Sequence, residues 1–600
     1  MRSVRLPRRW LTVSAAVVVV LGGGASALAS VSGGNGSGHA RRVQPPAAGA
    51  SAAGLKAGIR AAASGASSPS EFSTTANPVT LDPPVTVPPT KPVVVTIADH
   101  ASFGNAPPPA TSTVSLPSGR WATVVLDITG SEQGRQYDRL LDVYDGATQI
   151  FLGVTPEPTT AGITWHVQKD ITGYLPILRG TQTFSTTVDN YLSSVDNGIP
   201  VITAKLLFYP AGGGFEPARP ASLASPALAG DAIDETGPAS PPASAGVPSD
   251  VVPIVPSGAS NDFNTINTGQ TLSGSVTLPD NITTATLDLY AVGQINDEFW
   301  WGLTPAFREI EVSIDGKPAG VVWPYPYVYT GGVNPLIWRP LTGIHTLDIP
   351  SYRIDLTPFA GLLSGSGPHT ISLYVVNNNG YWLAGGALLL TAGGAPVSGG
   401  ITSDTLSFPD SSAVTTANAL GGSTDTPVTS ESASTSYAIS GTVTQGGRTW
   451  TDTLNQSLQF GNDQSYVDPA CTTSCYQWAH QETTSSASET ITGPGVSTDR
   501  TDKSSYTIDA PNGYQQNADG SDFFLPATVS QQLTDVAVQG RYATSLSESI
   551  IGYGALEEDN SAPTITNGET TGTITAVDGG SVYQRTITTR GGVIVQDLAG

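Results

Sequence analysis

Apolar and polar residues alternate along much of the chain in short runs that end at glycine, proline, asparagine or aspartate. The segment Arg308–Ile314 reads Arg-Glu-Ile-Glu-Val-Ser-Ile, with apolar residues on one face and charged or polar residues on the other. A period of two is typical of a strand that covers a core with one face. The other segments of this kind are Trp121–Ile128, Leu140–Tyr144, Ile199–Tyr209, Ala285–Tyr290 and Thr370–Val376. The pattern predicts an all-β protein built of sandwiches or jelly rolls, with almost no long helix.

Two stretches with the composition of linkers divide the predicted strands into separate domains. Alanine, glycine, serine and proline dominate residues 30–92 and again residues 211–260, as is typical of linkers. We therefore predict a first β-sandwich domain over residues 93–210 and a second over residues 261–392. Residues 400–600 are rich in serine, threonine and glycine, and there we expect a further β region that serves packing or adhesion.

The first 29 residues have the pattern of a secretory signal peptide. Basic residues extend to Arg9, an apolar run covers Trp10–Leu21, and small residues lead to Ala29. The apolar run is shorter than the roughly 20 residues that a membrane span needs, and no later segment is apolar enough to replace it. We therefore expect a secreted, extracellular protein whose mature form has no membrane span.

Charge and cysteine content narrow the class of protein further. The chain has 26 Lys and Arg against 49 Asp and Glu, a formal net charge of -23, so nucleic acid is not expected as a partner. Its acidity suits the solubility of an exported protein and indicates no substrate. Cys471 and Cys475 are the only cysteines, and in an oxidising compartment they are expected to form a disulfide. The six histidines lack zinc-site spacing, so no metal is expected.

Motifs that are absent from the sequence exclude several classes of enzyme. The sequence contains no G-x-S-x-G elbow, no P-loop and no dinucleotide fingerprint, which removes support for a serine hydrolase, an NTPase or a dehydrogenase. Carboxylates lie beside aromatic residues in two segments instead. In the first, Asp138 lies between Arg135 and Arg139 and leads into a predicted strand. Binding groups gather at strand ends, although a surface ion pair explains the same residues equally well.

The second segment places Asp297 and Glu298 directly before Phe299–Trp301. Proline alternates with tyrosine in the later loop Trp323–Tyr329, so that loop is not a regular central strand. Aromatic rings cover the C–H faces of sugars, while carboxylates and arginines bind sugar hydroxyls. The two segments together indicate a carbohydrate site, and the alternative is that the rings form core.

Both segments resemble the signature of the peptide N-glycanase A family. The similar motifs, in the family's order, are Gly134–Arg139, Thr155–Pro158, Gly162–Trp165, Lys169–Asp170, Asn296–Trp301, Phe307–Glu309, Gly320–Tyr325, Tyr329–Gly332, Asn334–Pro335, Trp338–Pro340 and Asp355–Phe359. The resemblance covers about residues 93–390 and is weak beyond residue 400. It implies a catalytic unit of two jelly-roll-like sandwiches. It also implies an amidase that releases the glycan from N-linked glycopeptides or glycoproteins and converts asparagine to aspartate, without metal or organic cofactor.

A more distant similarity, to peptide N-glycanase F, implies three catalytic acids. They are Asp138, Glu298 and, least well matched, Asp189. We expect Asp138 against the scissile linkage and Glu298 to position water with support from Asp189, and exchanged roles stay open. Crowded carboxylates raise at least one pKa, so that one acid keeps its proton as a donor. The candidates for binding the sugar are Arg135, Trp300, Trp301, Arg308, Trp323 and Trp338.

Two other function classes stay open. A non-catalytic carbohydrate-binding or adhesive protein would keep the aromatic residues and would not depend on Asp138 or Glu298. An endoglycosidase also uses paired carboxylates, but it cuts between sugars and leaves one sugar on asparagine. Because every motif lies within about residues 93–390, we also expect a fragment of that span to fold and to keep activity.

Overall fold

The structure is a computed structural model that describes residues 76–214, 247–254, 264–408, 414–417, 428–467, 474–516, 523–539, 542–559, 562–578 and 581–600. The predicted signal peptide, Cys471 and most of the predicted linkers lie outside the described residues, and the side chain of Cys475 is not described either. Strands dominate the described part, which confirms the all-β prediction. Its helical segments are short turns at Thr172–Tyr174, Ile295–Asp297, Trp300–Gly302, Thr357–Phe359 and Ala360–Leu363. Within these ranges no helix is long and apolar enough to cross a membrane.

Two four-stranded sheets form the first sandwich. Its strands are β1 (Val93–Ser102), β2 (Ala110–Ser115), β3 (Trp121–Glu132), β4 (Leu140–Asp145), β5 (Thr148–Val154), β6 (Ile163–Asp170), β7 (Thr181–Val188) and β8 (Val201–Pro210). One sheet has the order β1-β8-β3-β6 and the other β2-β7-β4-β5. Buried and half-buried residues alternate along β8, as a strand with one face on a core requires. Leu126, Ile128, Val143 and Phe184 lie in the core between the sheets.

The second sandwich repeats this strand order. Its strands are β9 (Asp250–Pro253), β10 (Thr265–Asn267), β11 (Thr271–Val276), β12 (Ile282–Gln294), β13 (Glu309–Ile314), β14 (Lys317–Val322), β15 (Tyr352–Asp355), β16 (His369–Val376) and β17 (Tyr381–Ala392). One sheet has the order β10-β17-β12-β15, with β9 added against β17, and the other has the order β11-β16-β13-β14. If the strands of the second sandwich are numbered from β10 as its first strand, both sandwiches have the same arrangement. One sheet has the order 1-8-3-6 and the facing sheet has the order 2-7-4-5. The chain thus crosses between two facing sheets as a jelly roll requires, and the jelly-roll description itself stays a prediction.

Connections that leave odd-numbered strands gather at one end of each sandwich. In the first sandwich the amide of Gly134, after the third strand, donates to the carbonyl of Thr159, after the fifth, at 3.0 Å. The amide of Asp189, after the seventh strand, donates to the carbonyl of Leu140 at 3.3 Å. In the second sandwich the Asn379 amide, after the seventh strand, donates to Asp297, after the third, at 3.2 Å. Loops at one end of a rigid scaffold are a common place for functional residues.

The two sandwiches contact each other through polar and apolar groups. Tyr290 donates its hydroxyl to the carbonyl of Ile150 at 3.2 Å, and Lys169 Nζ donates to Asp348 Oδ1 at 2.5 Å. Ala387 of β17 belongs to the core of the first sandwich. These contacts fix one sandwich against the other.

The C-terminal region forms one twelve-stranded antiparallel sheet. Its strands are β18 (Val397–Asp404), β19 (Val414–Ala417), β20 (Val428–Gln445), β21 (Arg448–Val467), β22 (Ser474–Gly493), β23 (Val496–Asp509), β24 (Asn512–Gln516), β25 (Phe523–Gln539), β26 (Tyr542–Asp559), β27 (Ala562–Asp578), β28 (Ser581–Arg590) and β29 (Val593–Ala599). The order is β18-β20-β21-β22-β23-β25-β26-β27-β28-β29, with β19 against β20 and β24 against β22 and β25. Hairpins connect most neighbours in this order, so the sheet is built largely from local pairings.

This C-terminal sheet covers the second sandwich and shares its core. Tyr506 donates its hydroxyl to the carbonyls of Trp323 and Pro324 at 3.0 and 2.7 Å. Phe460 packs edge-on against Phe307, with ring centroids 5.3 Å apart. Removal of the sheet would expose these buried groups to water. The contacts therefore argue against the expectation that residues 93–390 fold alone.

Part of the predicted first linker is also fixed in place. Val79 forms a parallel bridge with Leu341, and Leu81 is buried in the core beneath the C-terminal sheet. Arg585 Nη1 donates to the carbonyl of Thr80 at 3.1 Å. Residues 79–81 are thus held between the second sandwich and the C-terminal sheet, a placement that their composition does not indicate.

Candidate active site

Two of the three predicted catalytic acids lie in corresponding connections of the two sandwiches, and the third follows a later strand of the first sandwich. Asp138 lies between the third and fourth strands of the first sandwich, and Glu298 lies between the third and fourth strands of the second. Asp189 follows the seventh strand of the first sandwich. The negative charge of Asp138 raises the pKa of Glu298, and the charges of Asp189 and Glu298 both raise the pKa of Tyr381. The structure therefore brings the three acids together where the sandwiches meet.

Asp138 is held by donors from the other sandwich. Its Oδ2 accepts a hydrogen bond from the amide of Gly331 at 2.6 Å and from the hydroxyl of Thr330 at 3.3 Å. The Thr330 hydroxyl in turn accepts from the Glu157 amide at 2.9 Å. A Cβ atom on Gly331 would lie 2.5 Å from Glu157 Oε1 and 3.3 Å from Asp138 Oδ2. A residue without a side chain is needed for this close approach.

The two central carboxyls differ in their electrostatics. Burial, together with the charge of Asp138, raises the pKa of Glu298 to about 8 against the opposing charge of Arg139. Burial also raises the pKa of Asp138, but the Gly331 amide, the Arg139 guanidinium and the Thr330 hydroxyl all act to lower it. Hydrogen-bond donors stabilise an ionised carboxylate. Asp138 is therefore the favoured ion of the pair, and Glu298 keeps its proton at neutral pH.

Arg139 supplies the positive charge beside this pair. Its amide donates to Thr155 Oγ1 at 2.9 Å, and its Nη2 donates to Gln136 Oε1 at 2.8 Å. Its Nε is buried and has no hydrogen-bond partner among the described residues. Arg139 thus has a guanidinium that is fixed beside the two acids by its bond to Gln136.

A second layer of charges lies behind Asp138 and Arg139. Arg339 Nη2 donates to Glu157 Oε2 at 3.1 Å, and both side chains are buried. Glu132 is 3% exposed, and burial raises its pKa to about 8, opposed by Arg139 and reinforced by Glu157. The charges of these three buried side chains therefore contribute to the electrostatic environment of Asp138 and Arg139. Glu157 and Arg339 lie in the motifs Thr155–Pro158 and Trp338–Pro340, but nothing in those motifs shows that the two side chains pair.

Two tyrosines complete the surroundings of the acids. Tyr329 is buried, and burial raises its pKa well above the ordinary value, with further increases from Glu298 and Asp138. Tyr381 is half-buried, and its pKa is raised by burial, by Asp189 and by Glu298. Both phenols therefore stay protonated and can donate hydrogen bonds. Tyr329 begins the motif Tyr329–Gly332, whereas Tyr381 lies in none of the motifs and carries no comparable signal.

The structure places three of the predicted sugar-binding residues in the core instead. Arg308 is 1% exposed, and its Nε and Nη2 donate to Asp297 at 3.1 and 2.7 Å. Trp323 Nε1 donates to Glu309 Oε2 at 2.8 Å, and Trp338 Nε1 donates to the carbonyl of Gly332 at 2.8 Å. Their polar groups are already bound by the protein, so these side chains stabilise the loops and do not offer a surface to sugar.

The other three sugar-binding candidates lie within three residues of Asp138 or Glu298 along the chain. Trp300 and Trp301 are each 4% exposed and form the short turn after Glu298. Trp300 packs against Trp382 with ring centroids 6.5 Å apart. The side chain of Arg135 is 28% exposed and lies 3.6 Å from Asp196. Arg135 is thus the most accessible of the six candidates, and the tryptophans present little of their surface.

Comparison with known sequences now identifies the family. A sequence model of the family described as peptide N-acetyl-beta-D-glucosaminyl asparaginase amidase A matches residues 78–306 and 302–381. The matched residues make up just over half of the chain and include Asp138, Asp189 and Glu298. The chain belongs to this amidase A family. The resemblance stated from the sequence motifs is thereby confirmed.

One curated relative is the peptide-N4-(N-acetyl-beta-glucosaminyl)asparagine amidase A of Prunus dulcis. It is 32% identical over 325 residues, which are 50% of this chain and 54% of the relative. The chain thus spans about half the length of the relative it matches. Among solved structures, PNGase F of Flavobacterium meningosepticum is 13% identical, with 51% of this chain and 98% of that chain covered and a TM-score of 0.32. PNGF-II is 14% identical, with 51% and 66% covered and a TM-score of 0.34.

Proposed function

We propose that the chain is an amidase that hydrolyses the bond between N-acetylglucosamine and the asparagine side chain. In this reaction the intact glycan leaves and asparagine becomes aspartate. The observation that carries the proposal is the meeting of Asp138 and Glu298 from corresponding connections of the two sandwiches. Membership of the amidase A family supports it, because both residues lie within the matched part of the chain.

Amide hydrolysis needs a base for water and an acid for the departing nitrogen. In the proposed reaction Asp138 accepts a proton from a water molecule as that water attacks the side-chain carbonyl of the substrate. Glu298, which is protonated below about pH 8, gives its proton to the glycosylamine nitrogen as the carbon–nitrogen bond breaks. This division exchanges the roles expected from the sequence, because the hydrogen-bond donors converge on Asp138.

The developing oxyanion needs donors that are fixed before the reaction. The half-buried guanidinium of Arg139 and the protonated hydroxyl of Tyr329 are the proposed donors. Asp189, which is half-buried near Tyr381, is assigned a supporting role at the edge of the site. We further propose that the protein is secreted and acts on N-linked glycopeptides or glycoproteins, from its signal-type N-terminus and its family.

Mass analysis of a denatured glycopeptide treated with the full-length protein tests the proposal. We expect an intact released glycan and aspartate at the carrier site. Asp138→Asn should reduce turnover by about 10²- to 10⁴-fold, because it removes the base. The matched control is Asp280→Asn, which neutralises an exposed acid outside the site and should leave turnover unchanged.

The other outcomes separate the competing functions. Asparagine that keeps one sugar would identify an endoglycosidase. Glycopeptide binding without cleavage would identify a carbohydrate-binding or adhesive protein. For the export proposal, mass analysis of protein recovered from the medium of a producing host should show an N-terminus near Ser30, and retention of the entire chain in the cell would contradict it.

A further inference from the structure

Three carboxylates outside the candidate active site meet beneath the C-terminal sheet. Asp355 ends β15 of the second sandwich, whereas Asp452 lies on β21 and Glu489 on β22. Their candidate ligand oxygens all lie within 4.8 Å of one another. The exposed fractions of the three residues are 0%, 3% and 4%. The group, called the acidic triad below, therefore joins two parts of the molecule in a fully buried place.

Most oxygens of the acidic triad have no donor. Both oxygens of Asp452, Oδ2 of Asp355 and Oε1 of Glu489 make no hydrogen bond with any described residue. The second oxygen of Asp355 accepts from the amide of Thr357 at 2.8 Å. A buried polar group without a partner costs free energy, and a buried ion costs far more. Such a set of oxygens needs a compensating group.

The nearest guanidinium does not balance these charges. Arg500 lies opposite Glu489 in the sheet, but its Nε and Nη2 donate to Asp502 at 2.8 and 3.4 Å. Four carboxylates against one guanidinium leave three negative charges when all are ionised.

We propose that the acidic triad binds a divalent cation, Ca²⁺ in preference to others, which ties the second sandwich to the C-terminal sheet. Oxygen ligands without histidine or cysteine suit a hard cation. Calcium holds its oxygens at about 2.3–2.6 Å, so oxygens of one shell lie at most about 5 Å apart. The separations within the acidic triad fall inside that limit.

A second group of possible ligands provides a contrast. Asp82, His345 and Glu548 also lie close together, where the N-terminal segment, the second sandwich and the C-terminal sheet meet. Nδ1 of His345 lies 3.3 Å from Asp82, and its Nε2 lies 3.5 Å from Glu548. The imidazole of His345 thus lies between both carboxylates, and Asp82 and Glu548 raise its pKa against the effect of burial, so the group contains its own basic partner. This group needs no metal ion, and Glu548→Gln serves as the matched control.

Thermal unfolding of the full chain tests the proposal. The protein is freed of metal with EDTA, dialysed and titrated with CaCl₂ alone. We expect the Tm to rise by about 3 °C or more at saturation, because a ligand that binds only the folded state stabilises it. Asp452→Asn should lose this rise. In EDTA the same variant should be at least as stable as the wild type, because it removes an unbalanced buried charge.

Direct binding and further variants complete the test. Isothermal titration should give one calcium site per chain in the wild type and in Glu548→Gln, and none in Asp452→Asn. If Asp452→Asn does not fold, Glu489→Gln takes its place with the same expectations. Absence of calcium binding to the wild type would overturn the proposal, as would a rise in Tm that persists in the triad variants. Stabilisation by acid alone, with no response to calcium, would show that the triad holds protons instead.

Discussion

Replacement of Glu298 by glutamine should make the protein more stable and inactive at the same time. The pKa of Glu298 is raised from 4.5 to about 8, so the folded chain binds this proton more tightly than the unfolded chain does. The associated stability is fully present below about pH 4.5 and is lost as the pH rises through about 8. Glutamine cannot ionise. The variant should match the wild type in acid and exceed it increasingly above pH 5.

The size of this gain follows from the shift in pKa. At 1.36 kcal/mol per unit, a change from 4.5 to about 8 sets an upper limit of about 5 kcal/mol. Glu298 is half-buried, and solvent screening reduces the expected gain to about 1–2 kcal/mol at pH 9. Thermal unfolding monitored between pH 4 and pH 9 should therefore show a Tm difference that is absent at pH 4, grows from about pH 5 and levels off at a few degrees above about pH 8.

Activity should change in the opposite sense. Glutamine cannot donate the proton that the departing nitrogen needs, so turnover of a fluorescent glycopeptide should fall by about 10²- to 10⁴-fold. In the wild type, kcat/KM should fall about tenfold per pH unit above pH 8, where Glu298 loses its proton. Both measurements use the same protein preparations, so stability and chemistry are compared directly.

A matched control separates the general effect of a buried acid from its chemical role. The pKa of Glu548 is also raised to about 8 by burial, but Glu548 lies in the His345 group away from the acids of the site. Glu548→Gln should therefore gain stability at alkaline pH and keep full turnover. The reasoning would be refuted by near-normal turnover in Glu298→Gln, or by a variant less stable than the wild type at pH 9.

Three further predictions concern the surroundings of the site. Gly331→Ala should lower kcat/KM by about 10- to 10²-fold in the glycopeptide assay, because its Cβ would displace Glu157 and the amide that holds Asp138, and an unchanged rate would refute this role. Tyr506→Phe should lower the unfolding free energy by about 1–3 kcal/mol in urea titration, since two buried carbonyls lose their donor, and no loss would argue against the observed docking of the C-terminal sheet. Asp189→Asn should reduce turnover by less than Asp138→Asn does, and an equal or larger loss would give Asp189 a direct role.

Much of the fold and part of the site are readable in the sequence. The alternation in Arg308–Ile314 predicts a strand, and the structure has β13 over Glu309–Ile314. Local motifs also single out Asp138 and Glu298, because each acid adjoins arginine or aromatic residues at the end of a strand. Their catalytic roles stay predictions. The pairing of Glu157 with Arg339 and the presence of Tyr381 beside the acids are absent from any local pattern.

The sequence by itself therefore determined the all-β class, the strands and the two acidic segments, since these follow from local alternation and short motifs. Tertiary structure decided which aromatic and charged residues are accessible. Trp323 lies in the core because Phe460, from a distant strand, packs against its ring and Tyr506, from another, binds its carbonyl. The meeting of Asp138 and Glu298 is also a result of the tertiary structure, because it depends on how two sandwiches with the same strand order pack together. Burial and the pKa values that depend on it are properties of long-range packing, which local sequence does not encode.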